Sequence, residues 1–187
     1  GINQLGGNPL DIRFEELSIS RNESFKDTFL AMNCYLDGLI YRTNSHKKLI
    51  EASNYFDKPI INALSDLSHP CQTISDLLTL KEHFGNLSLN ILWVGDMNNV
   101  CFSLVEAVNL INDLSLTICC PEIYNKSKSW KLGSNIMVVN EIENLQLGEI
   151  DCVMTDVFIS MNDMNDKEKI KDLIKYQVND KLMTKTK

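Results

Sequence analysis

Basic clusters are missing from this sequence. Its 18 Lys and Arg stand against 25 Asp and Glu, a formal net charge of −7, and no basic patch is interleaved with aromatic side chains. Nucleic acid and anionic membrane surfaces are therefore poor candidate partners. Long apolar runs are missing too: "ILWV" and "LSLTICC" fall far short of the roughly 20 residues that span a bilayer. The opening "GINQLGGNPLDIRF" has neither the basic head nor the apolar body of a secretory signal. Of the six cysteines (Cys34, Cys71, Cys101, Cys119, Cys120 and Cys152) no two are spaced C-x-x-C, so no metal centre is read from them. Most lie inside apolar runs, where cysteine is a small hydrophobe. Reduced thiols fit a cytoplasmic location.

What is present is enough apolar content for a sizeable core, 44% of 187 residues, within the globular range. Helical and short apolar patterns alternate. "SFKDTFLAMNCYLDG" places Phe25, Phe29, Met32 and Leu36 at helical spacing, and "LIY" follows as a strand. "SHKKLIEASNYF" reads as a helix and "PIINAL" as a strand. "PCQTISDLLTLKEHFG" is the clearest helix, with Ile74, Leu77, Leu78 and Leu80 mostly on one face and Gly85 at its C-terminus. "NILWVG", "SLTICC", "NIMVVN" and "DCVMT" are further strands. A helix over "NNVCFSLVEAVNLIN", a short helix before "DCVMT" and a charged helix from about Asp163 complete the series. Strict alternation predicts an α/β fold of parallel sheets with helices on both faces. A boundary is expected near the restart at "LNILWVGD".

In open parallel sheets ligands bind beyond the carboxyl ends of the strands, and the uncommon polar residues of this chain fall there. Arg42 follows "GLIY", "SDLSHPCQ" with His69 and Gln72 follows "PIINAL", "GDMNN" follows "ILWV", and Asp156 closes "DCVMT". Together they suit a small anionic substrate with an amino-acid partner. Singly, each has an ordinary reading: helix cap, turn, surface ion pair. His69 and Gln72 at the start of their helix are expected to cap it and to face a ligand as well. His46 and His83 read as solvated residues on exposed helix faces.

At "SDLSHPCQTISDLLTLKEHFG" and "WVGDMNNV" the chain resembles the aspartate/ornithine carbamoyltransferase family. "LGGNPLDI", "ESFKDT", "YLDGLIYRT" and "TDVFISMN" fall in family order, so the likeness covers nearly the whole chain. The paired asparagines after "GD" and the D-x-x-x-S-M motif point to the ornithine branch. The resemblance implies two parallel α/β domains, a homotrimer, and no metal or organic cofactor. It divides the chain into 1–68 (carbamoyl-phosphate domain, latter part), 69–85 (interdomain helix) and 86–187 (ornithine domain, Rossmann-like). It places Arg42, His69 and Gln72 on carbamoyl phosphate, with Arg42 and His69 catalytic, and Asn99, Asp156, Ser160 and Met161 on L-ornithine. The implied reaction carries the carbamoyl group to the δ-amine of L-ornithine and yields citrulline and phosphate.

Against the family pattern, Met97 replaces a glycine of the "GD-G-NN" turn and is expected to stiffen or shift it. Phe158 replaces a tryptophan and Asn162 a glycine. The family's Ser-Thr-Arg-Thr phosphate loop and its His-Cys-Leu-Pro segment have no counterpart between Gly1 and Lys187. The chain is therefore expected to be an internal portion of a longer enzyme, incomplete at both termini and inactive by itself. Two other readings stand beside this one: a carbamoyltransferase for another amine such as putrescine, and an inactive relative serving as a binding module.

Overall fold

The computed structural model describes residues 1–17, 23–159 and 167–186. They form two compact units, Gly1–Tyr41 with Lys47–Ile61 and Arg42–His46 with Asn62–Lys187.

The first unit is built on α1 (Phe25–Met32), most of β1 (Leu39–Arg42), most of α2 (His46–Ser53) and the start of β2 (Ile60–Leu64). Ser24 sets the start of α1, its Oγ accepting from the Asp27 backbone N–H at 3.0 Å, which satisfies one of the donors a helix start leaves over. Phe29, Ala52 and Phe56 are its buried core, with Phe25, Met32 and Leu36 packed against them. The predicted helical spacing of Phe25, Phe29, Met32 and Leu36 is thus the inward face. The strands β1 and β2 pair with each other.

The second unit holds a sheet of four parallel strands in the order β5–β4–β3–β6: β3 is Asn90–Val94, β4 Ser115–Cys119, β5 Ile136–Val139 and β6 Cys152–Met154. Two-residue alternation sends the side chains of β3 to opposite faces. Ile91 and Trp93 join α3 (Pro70–Phe84) and α4 (Asn99–Leu110) in one core, with Leu80, Leu104, Val105 and Val108. Leu92 and Val94 join Leu147, Ile150, Tyr176 and Leu182 in the other. A strand buried on both faces has no polar side to show, which is why "ILWV" is an unbroken apolar run. The chain passes from β3 through α4 to β4, and β6 lies on the other side of β3, so a crevice opens past the ends of β3 and β6.

Three features depart from the sequence reading. Ile74 and Leu78 are 67% and 55% exposed on α3, and the inward face is Thr73, Leu77 and Leu80; residues spaced four apart share a face, but it is the outer one. The short helix before β6 is two 3-10 turns, Ile142–Asn144 and Leu147–Glu149. The charged terminal helix is described only from Lys167, as α5 (Lys167–Leu173), a 3-10 turn and α6 (Asp180–Met183).

Leu104→Ala removes a fully buried side chain at the α4–sheet contact and is expected to cost about 3 kcal/mol. Ile74→Ala on the exposed face is expected to stay within about 0.5 kcal/mol. Urea denaturation of both variants checks the assignment of the two faces of α3 and α4.

Candidate functional site

Past the ends of β3 and β6 the second unit carries a half-open cavity of about 730 Å³. His69, Gln72, Asn99 and Asp156, four of the seven residues singled out from sequence, line it. Arg42 is exposed at the end of β1 and is not among the lining residues, though its charge acts on His69. Ser160 and Met161, with Asn162, lie outside the described residues.

His69 stands at the start of α3, before Pro70 at the first helical position, where the missing N–H of proline costs nothing. Its side chain makes no capping bond, and that of Gln72 goes instead to Asp76, Nε2 to Oδ1 at 2.8 Å. The expectation that these side chains cap the helix is therefore corrected. The His69 main chain is held by the Ser103 hydroxyl, which accepts its N–H at 2.7 Å. Its Nδ1 is buried without a hydrogen-bond partner among the described residues. Burial, and then the Arg42 guanidinium, lower the His69 pKa below 6.5, while the carboxylates of Asp156 and Asp76 pull it back up. The imidazole is thus kept neutral at neutral pH.

The turn after β3 is shaped residue by residue. Gly95 has φ +138°, a backbone that side-chain-bearing residues rarely adopt, and its N–H donates to the Cys119 carbonyl. Trp93 Nε1 donates to the Asp96 carbonyl at 3.0 Å. The Asp96 carboxylate meets Lys169 Nζ of α5 at 2.8 Å, both side chains buried. Met97 carries no positive φ; its side chain fills the core, and its sulfur accepts from the Lys126 N–H. The residue expected to stiffen or shift the turn anchors it by packing. Asn98 caps α4, its Oδ1 accepting from the Val100 and Cys101 N–H groups, while its Nδ2 donates to Asp156 Oδ2 at 2.8 Å. Asn99 Nδ2 donates to the Ser65 carbonyl at 2.8 Å.

His46 is not a solvated side chain: Nδ1 shares a hydrogen bond with buried Ser65 Oγ at 2.9 Å, and its main-chain N–H donates to Asp66. His83 is exposed, as read from sequence. Sequence reasoning also missed Asp96–Lys169, because 73 positions separate the partners and neither lies in a recognisable spacing. Burial pushes the Cys119 and Cys120 thiols up to about 12, so neither is a thiolate nucleophile. Cys34, by contrast, is exposed. No group of three or more metal-ligating side chains occurs among the described residues, and no described helix is long and apolar enough to cross a membrane.

The profile of the aspartate/ornithine carbamoyltransferase carbamoyl-P binding domain matches residues 1–82, and that of the Asp/Orn binding domain matches residues 88–187. This chain belongs to the aspartate/ornithine carbamoyltransferase family. It is 38% identical to the ornithine carbamoyltransferase of Aquifex aeolicus over 98% of its own length and 62% of that relative's. With that of Methanosphaera stadtmanae the identity is 35%, over 100% of this chain and 65% of the other. The crystal structure of the anabolic ornithine carbamoyltransferase from Campylobacter jejuni superposes with a TM-score of 0.87 at 31% identity, over 100% of this chain and 65% of that one. The chain thus spans less than two thirds of the length of these relatives.

Two measurements test the electrostatics of the site. Arg42→Gln should move the His69 titration, followed by ring C–H NMR, upward toward 6.5, and Asp156→Asn should move it downward. Because the folded state holds His69 below its unfolded pKa, it contributes stability above about pH 6.5 that is lost as the pH falls through the folded value. Lys169→Met leaves the Asp96 carboxylate buried without this ammonium, and the expected loss on denaturation is about 3 kcal/mol.

Proposed function

We propose that this chain forms part of an enzyme that transfers the carbamoyl group of carbamoyl phosphate to the δ-amine of L-ornithine, giving citrulline and phosphate. Family membership supports the carbamoyl transfer. The observation that carries the acceptor is the convergence of Asn99 and Asp156 on the cavity that His69 and Gln72 also line. An acceptor with an α-ammonium needs a carboxylate partner, and Asp156 keeps oxygen lone pairs beyond the one taken by Asn98. Asn99, with one N–H on Ser65, retains its Oδ1 and a second N–H for the amino-acid end.

In the proposed reaction the amine nitrogen attacks the carbonyl carbon, the C–N bond forms, and the C–O bond to phosphate breaks. Negative charge gathers on the carbonyl oxygen on the way, where Arg42 and the neutral His69 would donate hydrogen bonds. Donors of this kind are worth about 3 kcal/mol each in comparable sites. The buried Nδ1 is the costlier place for an unpaired proton, since orphaned N–H groups are rarer than orphaned acceptors, so Nε2 carries it. Gln72 would accept from the carbamoyl NH2. The departing phosphate takes the proton the amine must lose. Ser160 and Met161 would complete the ornithine side. We assign residues 1–68 to carbamoyl phosphate, 86–187 to ornithine and 69–85 to the connection, in a cytoplasmic homotrimer.

The test is citrulline formation by the full-length gene product, with ornithine, putrescine and aspartate offered in parallel against carbamoyl phosphate. Product with ornithine alone is expected, and Asp156→Ala should raise the ornithine KM by about 100-fold, the loss of a charge-assisted contact. Turnover of putrescine but not ornithine would overturn the acceptor assignment, and no product from any acceptor would overturn the enzyme.

A further inference from the structure

The Gln72–Asp76 pair sits one turn into α3, and both residues line the cavity. Spacing of four residues makes such a contact geometrically easy on any helix, and on a helix surface it contributes little to stability. Its position gives it another consequence. A carboxylate accepts hydrogen bonds and cannot donate one, so the Gln72 amide has a single favourable orientation beside it: Nε2 toward Asp76, Oε1 away. That settles which of two otherwise interchangeable atoms faces the other way. No hydrogen bond among the described residues occupies Gln72 Oε1.

We infer that Asp76 is a positioning residue that pins the Gln72 amide with its oxygen turned to the cavity, making the site selective for a carbamoyl NH2 over an isosteric methyl group. The inference rests on the carbamoyl-phosphate reading above and names a determinant of donor choice within it. Carbamoyl phosphate brings N–H donors to an oriented acceptor. Acetyl phosphate has the same shape and charge but offers a methyl there, which leaves Oε1 unpaired when water is displaced. Without Asp76 the amide can turn and present Nε2, and the distinction weakens. The Asp76 carboxylate also acts through its charge on His69, raising its proton affinity, so it influences both side chains proposed to face the carbamoyl group.

The experiment measures the dissociation constants of carbamoyl phosphate and of acetyl phosphate for the full-length protein and its variants. Wild type should favour carbamoyl phosphate by about tenfold or more, as sites built to hydrogen-bond a ligand group do against analogues lacking it. Asp76→Leu should reduce that preference to less than about threefold. Asp76→Asn keeps the size of the side chain but donates as readily as it accepts, so it no longer fixes the orientation of the Gln72 amide and should lose most of the preference, whereas a purely structural role would leave the preference intact in this isosteric variant. Gln72→Leu should match Asp76→Leu, and the double variant should lose nothing further. Asp76→Ala gives the same reading should leucine disturb the helix.

A ligand-independent readout separates this inference from the reading it rests on. The Gln72 side-chain amide resonances, assigned by their loss in Gln72→Leu, should shift in Asp76→Leu. If wild type binds neither phosphate, carbamoyl phosphate falls as the substrate and the selectivity falls with it, while the resonances still decide the pinning. Undiminished preference in Asp76→Leu, or unmoved resonances, would overturn the role of Asp76.

Discussion

Everything at the candidate site follows from the double burial of β3. Ile91 to Val94 are enclosed on both faces of the sheet, so this strand is the fixed reference against which its neighbours register. A strand of that kind must hand over to polar residues abruptly where the sheet ends, since a buried backbone needs its hydrogen bonds made. The turn 95–98 does so with a glycine in a backbone that other residues avoid, an indole bond back to Asp96, and an asparagine that caps α4. The same residues that solve the termination problem thereby become the wall of a cavity.

Carboxylates organise that wall in pairs. Asp76 holds Gln72, Asp156 holds Asn98, and Asp96 holds Lys169. In each pair the acidic partner fixes which atoms of a donor side chain are committed. The two amides differ in what remains. Asn98 uses its oxygen on the α4 N-terminus and its nitrogen on Asp156, so it works as a structural bracket. Gln72 is tied by its nitrogen. Adjacent asparagines divide the same way: Asn98 braces the turn, while Asn99 keeps polar capacity toward the cavity.

Much of this was legible in the sequence, and the reasons are local. Unbroken apolar runs for doubly buried strands, a proline and a glycine bracketing α3, and polar residues just past each strand are patterns within a few positions. They led to the parallel sheet and to four residues of the cavity. What was hidden depends on pairings across the chain. Ile74 and Leu78 share a helical face, but nothing in the spacing tells which face turns inward. His46 looks like a surface residue until Ser65 is brought beside it. Gln72 was read as capping because its neighbours in sequence suggested a helix start, whereas its partner is one turn further on. Met97 looked like an intrusion into a turn because only the fold shows the core it fills.

The Asp96–Lys169 pair is the instructive case among these. Two charges buried against an apolar core give little or no net stability over hydrophobic residues of similar size, since desolvation cancels most of their attraction. Their advantage is direction. Apolar contacts are satisfied by many small displacements, whereas an ammonium 2.8 Å from a carboxylate has a narrow range of acceptable positions. Lys169 lies near the start of α5, and Asp96 lies in the turn that carries Asn98 and Asn99. A bond between them therefore fixes α5 to that turn, so that the cavity wall is defined by geometry and not by packing alone. Leucines at both positions would fill the same space, but the wall would then lose that fixed register.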